Sequence, residues 1–402
     1  MDHMDRFFRV ALASGLVLIL VLTAFIGGTV FGRHSASGVG LVEATAIDET
    51  LGEKVDEVRA LLVDEALKVP KETSMTAGAI DGLLESTGDK YAQYFDKRHL
   101  AYFNEQSAGE FGGIGVTIGE DGGTAKVVSV IPGTPALKAG MKPDDVFVSI
   151  DGVKQDTWTS DEVVKRVRGE SGTVVKLVMK RGKTTKSFDI TRARIEVPNT
   201  DVRMLGSDTG YIRLYSFNQK SADDIREAIT KLEDQGAKGF VLDLRDDPGG
   251  LLDQAVDVSS LFVEDGVIVR VDERGKSEEV YRANGNSATD APLALLVNGN
   301  SASASEIVAG ALQDYGRAEL VGEKTYGKGS VQTVEELSFG GGVKFTIAHY
   351  LTPKRRVIDG KGVTPDYVVP MKPELQFDPE FQKDPKKDTQ LQRALEVLRG
   401  EM

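Results

Sequence analysis

Hydrophobic and polar positions follow different periods in successive parts of the chain. An uncharged apolar run at residues 10–31 comes first, and the small residues at 35–46 predict a short flexible tether after it. From residue 47 to about 105, apolar positions recur every three or four residues, which is the spacing of a helix with one apolar face. This spacing predicts helices over residues 51–63, 76–86 and 97–106.

From about residue 111 the period shortens to two, and glycines separate the apolar runs. Alternation of this kind is typical of half-buried strands joined by tight turns. It predicts strands over residues 111–118, 125–131, 145–150, 173–180 and 186–192, with a helix over residues 160–168.

Beyond residue 196, uniformly apolar runs alternate with amphipathic stretches. Residues 238–244 and 291–297 are predicted as buried strands, followed by helices over residues 251–262 and 304–315. This alternation predicts a largely parallel sheet covered by helices, with ligands at the carboxyl ends of its strands. A last amphipathic helix is predicted over residues 388–399.

The apolar run at residues 10–31 is long enough to cross a bilayer, which takes about 20 helical residues. Arg6 and Arg9 precede it and favour a cytoplasmic N-terminus, although Arg33 follows it. A cleaved signal peptide usually has a shorter apolar region. We therefore expect an uncleaved signal anchor, with a cleaved signal peptide as the alternative. Both place the rest of the chain outside the cytoplasm.

Composition removes several kinds of site. The chain has no cysteine, which excludes thiol nucleophiles, thiolate metal sites and disulfides. Its four histidines form no metal-binding pair, so a zinc hydrolase is not expected, and we expect no other metal and no cofactor. His349 lies in an alternating stretch and is predicted to be structural. The net charge of −13, without a basic stripe, argues against nucleic-acid binding.

Two short runs carry the remaining candidate chemistry, SASASE at residues 301–306 and GKGSVQ at residues 327–332. Serine needs an adjacent base to act as a nucleophile near neutral pH, and a desolvated lysine can be that base. From the residues alone, Ser301, Ser303 and Ser305 cannot be told apart, because each is also a good helix cap.

A helix that begins near these serines would point its first amides at them. The Ala304 amide could therefore stabilise an oxyanion, and a second donor could come from the PGG loop at residues 248–250, which also follows a buried strand. Parallel strands in one sheet can bring the two loops side by side.

Residues 107–195 carry three further motifs: GGIG at residues 112–115, PGTPALKAG at 132–140 and IDG at 150–152. Their order and spacing resemble a PDZ domain of the bacterial protease type. The loop amides of such a domain bind a terminal carboxylate, and the next strand accepts an extended peptide. A phosphate loop does not fit, because a strand follows the glycines, while a hairpin without a ligand stays open. The implied peptide-binding residues are Gly113, Ile114, Gly115, Val116 and Ile118.

Residues 297–332 are similar to the carboxyl-terminal processing proteases, which are tail-specific serine peptidases. The order of helices, PDZ domain and protease core extends this resemblance from about residue 45 to 400. It implies a multidomain α/β fold with an N-terminal membrane helix, a helical segment, a β-rich PDZ domain and a ClpP/crotonase-like α/β protease core. The domains are predicted at residues 1–34, 35–106, 107–195, 196–372 and 373–402, the last being a tail whose helix packs on the core.

The same resemblance assigns roles to the candidate residues. It implies that Ser303 is the nucleophile, Lys328 the general base and Gln332 the residue that orients the lysine. The oxyanion donors would be the amides of Gly249 and Ala304. The implied function is a serine endopeptidase that selects extracytoplasmic proteins by their C-terminal tails. Its partners would be unfolded or tail-bearing proteins and the membrane, and a homo-oligomer is left open.

Two positions raise separate questions. Asp247 stands where the family motif DLRxNPGG has asparagine, which puts the local loop geometry in question. Arg168 is a candidate regulatory residue that would contact the protease core when a tail is bound, and a plain surface arginine is the alternative.

Two competing functions are a catalytically silent, membrane-anchored PDZ adaptor and an acyl-thioester enzyme on a similar core.

Overall fold

The computed structural model describes residues 44–196, 198–371 and 386–401. Within these ranges, no helix combines the length and apolarity that crossing a bilayer requires. The predicted membrane span at residues 10–31 lies outside the described residues.

The N-terminal region is helical as predicted, with one exception. Helices α1 (Ala44–Glu65), α2 (Glu72–Glu85) and α3 (Lys97–Ala108) confirm the three predicted helices. The tether is predicted over residues 35–46, but α1 already begins at Ala44, so the last three of these residues are helical instead. A short strand that the sequence did not indicate, β1 (Gln93–Phe95), lies between α2 and α3.

The PDZ region forms a separate small β-domain. Its predicted first strand, residues 111–118, is wrong as a single element, because the chain turns between two strands at Gly115, which has a φ of 85°. A β-carbon there would lie 2.3 Å from the Thr134 β-carbon, so the turn requires glycine. The elements are β2 (Glu110–Gly113), β3 (Val116–Asp121), β4 (Thr124–Val130), α4 (Pro135–Lys138), β5 (Val146–Ile150), β6 (Val153–Lys154), α5 (Ser160–Val167), β7 (Val174–Arg181), β8 (Thr184–Thr191) and β9 (Ala193–Glu196).

The PDZ sheet has the order β3-β4-β5-β7-β8, so β3 is an edge strand. Its apolar core surrounds the fully buried Trp158 and Phe147. Strand β2 lies outside this sheet and pairs with β9 as a two-stranded ribbon. The ribbon joins the PDZ domain to the elements on either side of it.

The C-terminal half contains the predicted alternation of strands and helices. Its elements are β10 (Thr200–Leu205), β11 (Thr209–Leu214), α6 (Ser221–Asp234), β12 (Gly239–Asp243), α7 (Leu252–Ser260), β13 (Val267–Glu273), β14 (Glu279–Arg282), β15 (Leu293–Val297), α8 (Ala304–Tyr315), β16 (Glu319–Gly322), β17 (Ser330–Glu336), β18 (Gly342–Leu351), β19 (Tyr367–Val368) and α9 (Thr389–Glu401).

A six-stranded sheet of order β10-β11-β12-β15-β16-β19 forms the centre of this half. It is parallel from β11 to β19, as the alternation predicted. Strands β12 and β15 are neighbours and consist of buried residues, with Leu242 opposite Leu295. The loops that follow these two strands therefore meet at one edge of the sheet.

A second, antiparallel sheet has the order β1-β18-β13-β14, and β17 also pairs with β18. Through β1, where Gln93 lies opposite Lys344, the N-terminal region becomes part of the protease half. Three buried aromatic and aliphatic side chains, Phe95, Leu100 and Phe103, pack beneath this junction. The helical segment is therefore attached to the core by both hydrogen bonds and packing.

Helix α9 packs on the face of the parallel sheet through buried side chains such as Leu391 and Leu398, as predicted for the C-terminal tail. Asp388 accepts a hydrogen bond from the Leu391 amide and an ion pair from Arg245. Arg245 also pairs with the buried Asp243 at 2.6 Å. Burial alone would raise the pKa of the Asp243 carboxyl, but the neighbouring guanidinium groups lower it to about 2.

Candidate active site

Ser303 lies where the loop after β15 enters helix α8. It is fully buried and caps the helix with a φ of 54° and a ψ of −113°. A positive φ is rare for a residue with a β-carbon and is found where the surrounding structure imposes it, often at functional sites. The Ser303 hydroxyl has no hydrogen-bond partner among the described residues.

The other two serines of the run have structural partners. Ser301 Oγ donates to the Leu244 carbonyl at 2.7 Å and so ties the β15 loop to the β12 loop. Ser305 Oγ donates to the Asp247 carbonyl at 2.9 Å. The sequence did not distinguish these three serines. In the structure, the hydroxyls of Ser301 and Ser305 are hydrogen-bonded, and the Ser303 hydroxyl has no partner among the described residues.

A buried carboxylate, Glu306, joins the serine to the lysine loop. Its Oε2 accepts from the amides of Ser303 at 3.0 Å and Lys328 at 2.8 Å. Its Oε1 accepts from Thr325 Oγ1 at 2.5 Å and from the Gly327 amide at 2.7 Å. Burial raises the pKa of the Glu306 carboxyl, and these hydrogen bonds oppose that rise. One side chain thus positions both predicted catalytic residues.

The sequence analysis did not single out Glu306, although a signal was present. Serine followed by glutamate three residues later is the capping-box pattern of a helix N-terminus. In this chain the glutamate also bonds the Ser303 amide, and its second set of partners lies in the loop before β17. The pattern predicts the cap but not that second contact.

Lys328 is buried in the loop before β17, two residues ahead of the strand. Burial lowers the pKa of its ammonium group to about 8, while the carboxylates of Glu306 and Asp89 raise it and Lys90 lowers it further. Its Nζ lies 4.9 Å from the centroid of the Tyr91 ring. The segment after α2 therefore forms one wall around the lysine, a role that the sequence did not indicate.

That wall is tied to the antiparallel sheet. Asp89 Oδ2 accepts a hydrogen bond of 2.7 Å from the Thr346 amide in β18. Lys344, two residues earlier in β18, is buried, and burial together with Lys328 lowers the pKa of its ammonium group to about 7. The surroundings of Lys328 are thus low in water and contain a second amine, which is where a lysine pKa falls.

Gln332 is fully buried in β17. Its Nε2 donates to Ser330 Oγ at 2.7 Å and to Thr346 Oγ1 at 3.2 Å. Its Oε1 has no hydrogen-bond partner among the described residues. Gln332 and Lys328 are therefore near each other in sequence and both buried, but the amide oxygen is not bonded to the lysine.

The predicted oxyanion donors lie together. A β-carbon at Gly249 would be 2.8 Å from the Ala304 amide nitrogen and 2.9 Å from Ser303 Cβ, so the glycine touches the entry to α8. Ala304 is the first residue of α8, and its amide has no partner within the helix. The Gly249 amide, however, donates to Asp247 Oδ1 at 2.8 Å.

The predicted PDZ residues occupy different positions. Val116 and Ile118 are half-buried on the edge strand β3, next to α5. Ile114 is fully buried in the PDZ core, and its carbonyl accepts from the Ala136 amide. The Ile114 side chain is therefore part of the domain core in this structure, and its implied role in peptide binding stays a prediction. Gly113 is buried at the end of β2, and Gly115 is buried in the turn before β3.

Arg168 contacts helix α3 in this structure. Its guanidinium carbon lies 4.4 Å from the Phe111 ring centroid and 4.7 Å from the Tyr102 ring centroid. Its Nη1 is 3.6 Å from Glu105 Oε2. At the end of α3, the Ser107 carbonyl accepts from the Gln219 amide of the protease half. Helix α3 thus lies between Arg168 and the core.

Comparison with known proteins agrees with this arrangement. Residues 208–369 match Peptidase family S41 and residues 104–180 match the PDZ domain. A "Probable CtpA-like serine protease" of Staphylococcus aureus is 34% identical over 370 residues, covering 91% of this chain and 73% of the relative. The chain belongs to peptidase family S41. A second S41 relative with the same description, from Staphylococcus saprophyticus, is 36% identical over 356 residues, covering 87% and 71%.

A solved structure described as an S41 protease of Bacteroides fragilis matches with a TM-score of 0.50, covering 92% of this chain and 100% of that one. At 16% identity this likeness shows the fold alone. The resemblance drawn from the sequence is thus confirmed at the level of the family: this S41 chain is a CtpA-like serine protease with a PDZ domain.

We predict that Glu306→Gln weakens both stability and activity. The new amide group would face backbone N–H donors that now bond a carboxylate, and an unsatisfied buried donor costs about 1–3 kcal/mol. Urea unfolding should show that loss, and kcat/KM for peptide cleavage should fall. Thr325→Ser keeps the hydroxyl donor and is the matched control. Wild-type stability and kcat/KM in Glu306→Gln would contradict the prediction.

Proposed function

We propose that this protease uses a Ser–Lys dyad, with Ser303 as nucleophile and Lys328 as general base, and selects substrates by C-terminal tails bound to its PDZ domain. The observation that carries the proposal is the Ser303 hydroxyl, buried and unbonded on a strained backbone beside Gly249 and Ala304. The lowered pKa of Lys328 supports the role of that lysine as the base.

The reaction proceeds by acyl transfer. Neutral Lys328 takes the proton of Ser303 as its oxygen attacks the peptide carbonyl, and the Ala304 and Gly249 amides bind the oxyanion. As the tetrahedral intermediate collapses, protonated Lys328 gives this proton to the leaving nitrogen, the C–N bond breaks, and the new N-terminus departs from an acyl-enzyme on Ser303. Water, activated by the same lysine, then hydrolyses the ester.

The described arrangement is a resting one. Since Ser303 Oγ and Gln332 Oε1 are both without hydrogen bonds, Lys328 Nζ bonds neither of them. A movement of the lysine away from the Tyr91 ring would bring it to the serine, where the Gln332 oxygen can accept one of its protons. Ser303 is fully buried, so substrate entry requires an opening of the site as well.

Substrate selection rests on the PDZ edge strand. Strand β3 has a free edge facing α5, so an extended C-terminal tail can add to it by backbone hydrogen bonds. We also propose that residues 10–31 anchor the chain, with the protease outside the cytoplasm. The mass of the mature N-terminus tests the anchor.

We predict that Ser303→Ala abolishes cleavage of an unfolded protein, with a loss of kcat on the order of 10⁴-fold or more, since the nucleophile is removed. Ser301→Ala and Ser305→Ala are matched controls that remove neighbouring structural hydroxyls, and both should still cleave. Cleavage by Ser303→Ala at the wild-type rate would refute the role of Ser303 as the nucleophile. Binding without cleavage by the wild type would favour the PDZ adaptor.

We predict that kcat/KM rises with pH around a midpoint of about 8, where Lys328 becomes neutral. The same shift affects stability. The pKa of Lys328 is 10.5 unfolded and about 8 folded, so burial of its charge costs stability below pH 8, and this cost disappears as pH rises from 8 to 10.5. Lys328→Met should therefore be inactive yet up to about 3 kcal/mol more stable at neutral pH.

Activity that stays constant down to pH 4 would exclude Lys328 as the base. A stability of Lys328→Met equal to wild type at neutral pH would show that the lysine is not desolvated. Lys324→Met, a substitution of an exposed lysine in the same loop, is the control for both measurements.

We also propose that Arg168 couples tail binding to the protease through α3, because it contacts Tyr102 and Glu105 of that helix. Arg168→Ala should lose most of the stimulation of peptide cleavage by an added C-terminal tail peptide while still binding the tail. Lys165→Ala, on the exposed side of α5, should respond as the wild type does. Normal stimulation in Arg168→Ala would remove the coupling role.

A further inference from the structure

Asp247 occupies an unusual position beside the predicted oxyanion hole. Its side chain is fully buried, and its Oδ1 accepts a hydrogen bond of 2.8 Å from the Gly249 amide. Its Oδ2 has no hydrogen-bond partner among the described residues. Burying a carboxyl with one oxygen that has no hydrogen bond lowers the stability of the fold, and such groups are often functional.

The Gly249 amide is the same group that the proposed mechanism assigns to the oxyanion. An N–H has one proton, so a bond to Asp247 withholds it from an acceptor on the other side. The Asp247 backbone carbonyl holds this loop against the serine run, since it accepts from the Ala302 amide at 3.0 Å and from Ser305 Oγ at 2.9 Å. The competition therefore occurs next to Ser303.

Charged groups around Asp247 come from several elements. Arg213 of β11 favours its ionised form and Asp243 of β12 opposes it, and the Gly249 amide adds a hydrogen bond to the carboxyl. Burial outweighs these contacts and raises the pKa of the Asp247 carboxyl well above its usual range. Burial therefore favours the neutral form of this carboxyl over its ionised form.

We propose that Asp247 is a positioning residue of the oxyanion hole, which competes with the substrate for the Gly249 amide and competes more strongly when it is ionised. The inference rests on the proposed function of Ser303 and Gly249. A neutral carboxyl is a weak acceptor that an oxyanion can displace. An ionised carboxyl forms a stronger, charge-assisted bond and also repels the oxyanion.

The experiment compares kcat/KM of wild type and Asp247→Asn between about pH 7 and about pH 10. Asparagine has nearly the same shape but cannot ionise. The ratio of Asp247→Asn to wild type should rise with pH by about tenfold or more, because losing one oxyanion donor costs about 10²–10³ in kcat. Urea unfolding at each pH shows that both proteins stay folded over the range compared.

Asp246→Asn is the matched control. It removes the same charge from the neighbouring residue, whose Oδ1 instead accepts from Asn298 and Asn300 at 2.8 and 2.9 Å. The ratio of kcat/KM for Asp246→Asn to kcat/KM for the wild type should stay constant with pH. If Asp247→Asn does not fold, Asp247→Ser, which is smaller and also uncharged, carries the same expectation.

A constant Asp247→Asn ratio, with cleavage still dependent on Ser303, would overturn this inference and leave the proposed function intact. An Asp246→Asn ratio that rises equally would assign the effect to loop charge and also overturn it. Absence of any cleavage that depends on Ser303 would reject the proposed function, and the role of Asp247 with it.

Discussion

The active site depends on one buried carboxylate. Glu306 receives hydrogen bonds from the amide of the predicted nucleophile and from the amide of the predicted base, although the first caps helix α8 and the second lies in the loop before β17. An acceptor with two oxygens can satisfy all of these donors at once, which no neutral side chain of that size can do. The cost of burying its charge is offset only while every donor is present, so the serine turn and the lysine loop are held together as a unit.

Among the described residues, the contacts that the proposed mechanism requires are not formed. The Ser303 hydroxyl and the Gln332 side-chain oxygen have no hydrogen-bond partner there, and the Gly249 amide, a proposed oxyanion donor, is bonded to a carboxyl of its own loop. Each of these groups is buried, so none gains a partner from bulk water. The proposed mechanism therefore requires these groups to rearrange, and substrate binding can supply the energy of that rearrangement.

Sequence patterns predicted the parts of this fold that local rules determine. The apolar runs at 238–244 and 291–297 became adjacent parallel strands, because a strand buried on both faces leaves no polar positions. Strand β1 has only three residues and forms because β18 offers an edge, so no local pattern marks it. The choice of Ser303 among three serines likewise depends on partners such as Leu244, which lies 57 residues away from Ser301.

The pairing of β1 with β18 has a consequence for the order of events in synthesis. Asp89 and Thr346, whose hydrogen bond fixes the wall around Lys328, are separated by 257 residues. Contacts so distant in sequence form late, after the intervening chain is available to fold. A nascent chain that already carries its PDZ domain and Ser303 therefore still lacks the wall around Lys328, so the surroundings of the proposed base are completed only when the chain is nearly finished.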